Sequence, residues 1–143
     1  KGAVAAGPGL IPEDGVRGWL LVYRHQRAVQ HKTNLVAVEI GQGQESMAPT
    51  LHPEDIVLVD KDVRAPEPEG SIFLVRDPDY DVSIKRVTVE RRKGETWLAY
   101  SSDNPDKRTY QPRFYNLEED FGGDITRAIV GRVVWAWKDM TRK

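Results

Sequence analysis

The chain has 143 residues, enough for one domain with a real core. It contains no cysteine, which excludes disulfides and thiolate metal sites and suits a reducing, cytoplasmic setting. Its 21 Lys and Arg residues nearly balance 22 Asp and Glu, for a formal net charge of −1, so DNA binding by this piece alone is not expected.

Residues 1–15 (KGAVAAGPGLIPEDG) are rich in Gly, Ala and Pro and read as a linker, with residues 16–143 as the folded domain. The first residue is Lys1 rather than Met, which predicts a fragment or processed product of a longer chain. Strand-sized runs then follow at residues 19–23, 35–40, 55–60, 71–76, 82–91, 96–100 and 129–137, each rich in Val, Ile, Leu or aromatics. Turn chemistry separates them in RAPEPEG (64–70), DPDYD (77–81), RKGE (92–95) and the polar loop SSDNPDKR (101–108). No long segment has a helical period, so the fold class is mostly β with one or two short helical turns and no internal repeats. His25, His31 and His52 are scattered and read as surface or structural, so no metal site is expected. No apolar run is long enough to cross a bilayer, so no membrane partner is expected.

Two segments carry candidate chemistry. In GQGQESMAPTL (41–51), glycines follow the strand-like run LVAVEI and Ser46 comes at once, with Pro49 three residues later. That pattern predicts a strand-to-helix junction with Ser46 near the N-cap. Such a serine either caps the helix or acts as a nucleophile beside backbone N–H groups. In VSIKRVTVER (82–91), strand alternation puts Ser83, Lys85, Val87 and Val89 on one face. A lysine there either snorkels to water or is desolvated, neutral and able to accept a proton. Trp135 and Trp137 share a strand face that is either core or interface, and SSDNP either caps a turn or shapes a cleft.

Taken together these segments resemble the LexA/UmuD-like autopeptidase family, which includes the cleavable repressors of temperate phages. Ala6-Gly7 in VAAGPG looks like the family's self-cleavage site. ESMAPTL looks like its G-D-S-M-x-P-T-L motif, with Ser46, Met47, Pro49, Thr50 and Leu51 matching. PEDIVLVDKD resembles the strand after the nucleophile, and SIKRV the strand of the general base, placing that role on Lys85. SSDNP and GRVVWAWK resemble the family's late segments. The spacing is also similar, with 39 residues from Gly7 to Ser46 and 39 from Ser46 to Lys85. Three positions depart: Gln44 and Glu54 stand where the family usually has Gly, and Glu45 where it has Asp or Asn. Gly43 would replace the glycine missing at 44 if the turn is shifted by one residue.

The resemblance implies a LexA-like C-terminal, signal-peptidase-like β fold of short twisted sheets. It implies a Ser46–Lys85 dyad that cuts Ala6-Gly7, with Gly43 and Met47 shaping the site and its oxyanion hole and no cofactor. The domain would dimerise or form a higher homo-oligomer as part of a phage or SOS-type transcriptional repressor. Operator DNA would be held by an N-terminal helix-turn-helix outside this chain, and a RecA–single-strand DNA filament would favour cleavage. A non-cleaving oligomerisation domain and a UmuD-like translesion polymerase accessory subunit are the competing readings. A signal-peptidase-like membrane protease lacks its membrane-spanning segment here.

Overall fold

The computed structural model describes residues 2–4, 31–138 and 140. Eight strands form one sheet: β1 (Gly2–Val4), β2 (Leu35–Ile40), β3 (Ile56–Asp60), β4 (Ile72–Arg76), β5 (Val82–Arg92), β6 (Glu95–Ser101), β7 (Arg113–Asn116) and β8 (Ile129–Trp137). Their order is β1-β2-β3-β8-β4-β5-β6-β7. β1 runs parallel to β2, and every other neighbouring pair is antiparallel. The fold is thus mostly β, as expected. The predicted strand at 19–23 lies outside the described residues. Most of the predicted linker does too, although Gly2–Val4 within it forms β1.

β8 carries irregular register against both of its neighbours, between Leu58 and Val59 and between Leu74 and Val75. Strand alternation then serves two cores instead of one. Leu74, Val82 and Ile84 join Val38, Ile40, Met47, Val57 and Val59 in one apolar cluster. Phe73, Val75 and Val87 face the other way, into a cluster with Leu98, Tyr100, Phe121 and Ile129. Trp135 and Trp137 belong to neither cluster, and Trp135 is 37% exposed opposite Leu58.

Helices α1 (Leu117–Phe121) and α2 (Ile125–Ala128) close the second cluster. Asn116 caps α1 by accepting from the Glu118 and Glu119 amides, and Asp124 caps α2 through the Thr126 amide. The short helix expected after Ser46 does not form. Residues 46–50 make turns, and the Ser46 carbonyl, which would accept the first helical bond, accepts from the Asn104 amide instead. Among the described residues no helix is long and apolar enough to cross a membrane.

Gly131 marks the tightest strand crossing. A Cβ there would stand 2.5 Å from the Asp60 carbonyl oxygen and 2.8 Å from Val59 Cγ1. Gly131→Ala must therefore push β3 and β8 apart. We expect a loss of about 2–3 kcal/mol, or roughly 5–10 °C in Tm, by thermal unfolding; an unchanged Tm would show that this crossing yields freely.

Candidate active site

β2 leaves the sheet at Ile40 and turns at once. Gly43 takes φ +79°, a conformation costly for a residue with a Cβ, while Gln44 does not have positive φ. The positive-φ glycine of this turn is therefore Gly43. Glu54 sits at φ +74°, a left-handed conformation that favours glycine. Its amide donates to the Ile40 carbonyl (2.8 Å), and its carboxylate accepts from Gln42 (3.0 Å).

The next residues are anchored in sequence order. Met47 is fully buried and Leu51 nearly so, both in the first core cluster, and the Leu51 amide donates to the Met47 carbonyl (2.9 Å). The peptide between Ala48 and Pro49 is cis. Ser46, between exposed Glu45 and buried Met47, is itself buried, at 4% exposure.

The loop after β6 braces this turn from the other side. The Asn104 amide donates to the Ser46 carbonyl (2.9 Å), and its side-chain nitrogen to the Glu45 carbonyl (2.9 Å). Asp103 accepts from Thr50 Oγ1 and takes a two-pronged ion pair from Arg86 (2.6 and 2.9 Å). Burial alone would raise the Asp103 pKa, but the hydrogen bonds from Arg86 and Thr50 prevail and hold it below the usual carboxylate range. Lys138 adds a bond to the Thr50 carbonyl and another to buried Asp55 (3.3 Å). In SSDNP the Asn104 side-chain oxygen caps the turn by accepting from the Asp106 amide (2.9 Å), while Asp103 and the Asn104 nitrogens brace the serine turn. Their partners are 53 and 59 residues away, so no local pattern could reveal them.

Lys85 arrives on β5. Its register partner on β4 is Phe73, fully buried, and Val87 lies two positions along on the same face. The Lys85 amine reaches Ser46 Oγ at 3.0 Å and the Ile84 carbonyl at 3.3 Å. Burial, and secondarily the positive charge of Arg113, lower its pKa from 10.5 to about 8. Arg86, next in sequence, points to the opposite face and is neutralised by Asp103. A cleft of about 210 Å³ opens over Ser46 and Lys85, bounded by Gly43, Asp81, Tyr110 and Arg113. Tyr100 in its wall stays protonated, since burial pushes its hydroxyl pKa up; it donates to the Arg76 and Ala128 carbonyls (2.9 and 3.3 Å).

A serine hydroxyl within hydrogen-bond reach of a desolvated amine is the arrangement that lets a weak nucleophile lose its proton as it attacks. The model of the Peptidase S24-like family matches residues 2–134. The chain belongs to this family. S24 is the LexA/UmuD-like autopeptidase family, and membership brings serine-peptidase chemistry in general terms. Among curated proteins none matches the chain. Of the residues singled out in this S24 chain by sequence, Ser46, Lys85 and Gly43 meet at one cleft, and the Met47 side chain anchors the serine turn in the core. Ala6 and Gly7 lie outside the described residues. Arg113 and Asp81 escaped the sequence reading; their strand and turn carry no motif.

Two measurements probe this geometry. Asn104→Ala removes a brace and should slow labelling of Ser46 by a fluorophosphonate about tenfold, while costing about 1 kcal/mol of stability; undiminished labelling would mean the turn holds itself. Lys85→Met removes a charge that folding disfavours. The folded pKa lies below the unfolded 10.5, so Lys85 penalises the fold fully below pH 8, and the penalty fades as pH rises to 10.5. Urea unfolding should find Lys85→Met about 1–2 kcal/mol more stable at pH 7, net of its lost hydrogen bonds, and should lack the parent's gain in stability between pH 8 and 10.5. Equal pH profiles would contradict a desolvated lysine.

Proposed function

We propose that this chain is the regulatory domain of a transcriptional repressor of the phage or SOS type, and that it cuts its own Ala6-Gly7 bond. The observation that carries the reading is the 3.0 Å approach of the Lys85 amine to Ser46 Oγ in a cleft where the amine is largely buried. Family membership supports it. So does β1: Val4 pairs beside Ile40, and β2 leaves the sheet at that same end to make the serine turn. A strand running parallel to β2 thus heads toward the nucleophile two residues before Ala6.

In this mechanism Ser46 Oγ attacks the Ala6 carbonyl carbon as neutral Lys85 takes the hydroxyl proton. The oxyanion is held by backbone N–H groups of the serine turn, near Gly43 and Met47. Collapse breaks the Ala6–Gly7 bond, and Lys85 returns its proton to the departing Gly7 amine. Water, deprotonated by Lys85, then attacks the Ala6 ester of Ser46; the ester bond breaks, Lys85 returns the proton to Ser46 Oγ, and residues 1–6 leave with a new carboxylate. Small Ala5, Ala6 and Gly7 suit a narrow cleft, and Pro8 biases Gly7 toward extended geometry. Because the substrate is tethered, effective concentration replaces affinity.

The domain dimerises, in this reading, and cleavage separates it from a helix-turn-helix domain outside this chain. Operator affinity then falls as bivalent contact is lost. A RecA–single-strand DNA filament is the expected partner that favours the cleavable state.

Intact mass followed over time should show loss of residues 1–6, with a rate rising about tenfold per pH unit up to about pH 8 and then levelling as Lys85 becomes neutral. Ser46→Ala and Lys85→Ala should both keep the full mass. If the parent chain also stays intact with the activated filament present, the domain only oligomerises and the proposal fails.

A further inference from the structure

The cleft contains a cation that the dyad mechanism does not use. Arg113 lies on β7 and pairs in register with Tyr100 on β6, which pairs in turn with Val87 on β5. These three residues share a sheet face, and Lys85 lies on that face two positions from Val87. Arg113 is therefore two strands from β5, about 10 Å at the usual strand spacing, and both long side chains enter the same cleft. The guanidinium forms no ion pair with any described residue.

We propose that Arg113 is a positioning residue that acts through Lys85: its guanidinium disfavours a second positive charge on the amine beside Ser46. The assignment rests on the self-cleavage reading for its consequence, but its electrostatics can be measured apart from cleavage. Arg113 is exposed on the cleft rim while Lys85 is largely buried, and like charges that close disfavour each other, though solvent at the rim weakens the repulsion. Arginine suits this role because its own proton is never lost, so the repulsion all falls on the lysine. Burial and Arg113 are the two influences that depress the Lys85 pKa, with burial the larger.

Other charged groups near the cleft do not substitute for it. Glu45 on the serine turn is exposed. On the β4–β5 turn, Asp77 accepts from the Asp79 and Asp81 amides (2.8 and 3.1 Å), and Asp81 lines the rim; both carboxylates would favour a charged lysine. From the loop after β6, Lys107 directs its amine to the Ser102 carbonyl (2.7 Å). Tyr100 is protonated and committed to two carbonyls, while Tyr110 and Tyr115 are phenols. Arg86 is paired on the opposite face. Of the charged groups that line the cleft, Arg113 is the one whose charge lowers the Lys85 pKa.

The test is a direct titration of the Lys85 side-chain nitrogen by NMR, in the full 143-residue chain carrying Ser46→Ala so that none is consumed. Arg113→Gln should raise the midpoint by about half a pH unit. Arg113→Lys should restore it, and Lys93→Gln, an equal charge loss at the far end of β5, should leave it in place. With Ser46 present, the pH–rate curve of Arg113→Gln should shift upward by the same amount, about threefold slower near pH 7, with its plateau unchanged. A midpoint equal in Arg113→Gln and Lys93→Gln overturns the proposal. So does a lowered plateau with an unmoved midpoint, which would place Arg113 on the substrate instead. A shifted midpoint in a chain that never cleaves would uphold the role of Arg113 and sink self-cleavage.

Discussion

Everything distinctive in this site follows from placing one lysine where water solvates its charge poorly. Lys85 stands opposite buried Phe73, between Ser83 and buried Val87 on the same face of its strand. A protonated amine there costs stability, and a neutral one is a base. The fold accepts that cost at a single position, while the neighbouring cation is neutralised: Arg86, one residue on, is locked to Asp103 on the opposite face. Strand alternation is what allows adjacent cations such different fates.

The serine needs the opposite treatment, since a hydroxyl must be held still more than it must be desolvated. Its turn has too few internal bonds to be rigid alone. It is pinned by Met47 and Leu51 in the first core cluster and by Asn104 and Asp103 from the loop after β6. Asp103 binds Thr50 of the serine turn and Arg86 of the lysine strand at once, so one carboxylate ties the two halves of the site together. The site therefore assembles only when β2, β5 and β6 have all found their places. Long-range braces of this kind are slow to form and stiff once made.

Alternation made most of this fold legible. The runs at 35–40 and 129–137 coincide with β2 and β8, because Val, Ile and aromatic residues dominate them and turns flank them. β7 was missed because RFYN is short and edge-like, and its stability comes from pairing with β6 and from the α1 cap at its end. The helix expected after Ser46 failed because the 45–51 backbone finds partners in a distant loop. The dyad itself could be read through motif resemblance, and the lysine's apolar neighbours through period two. What no local pattern could give is Arg113, which meets Lys85 only through the register of three strands.

The strength of the base also bears on what such a site is for. An amine with a pKa of about 8 is neutral in roughly a tenth of molecules at pH 7. For an enzyme acting on many substrates that would waste most encounters. For a bond tethered beside its own nucleophile it sets a slow clock, because each chain needs to react once. Under the proposed function, repression must survive until a signal arrives, so a fully neutral lysine would be a liability. Burial and Arg113 push the amine toward reactivity. A partner that excluded water from the cleft would lower the lysine pKa further and speed cleavage without touching either reacting residue.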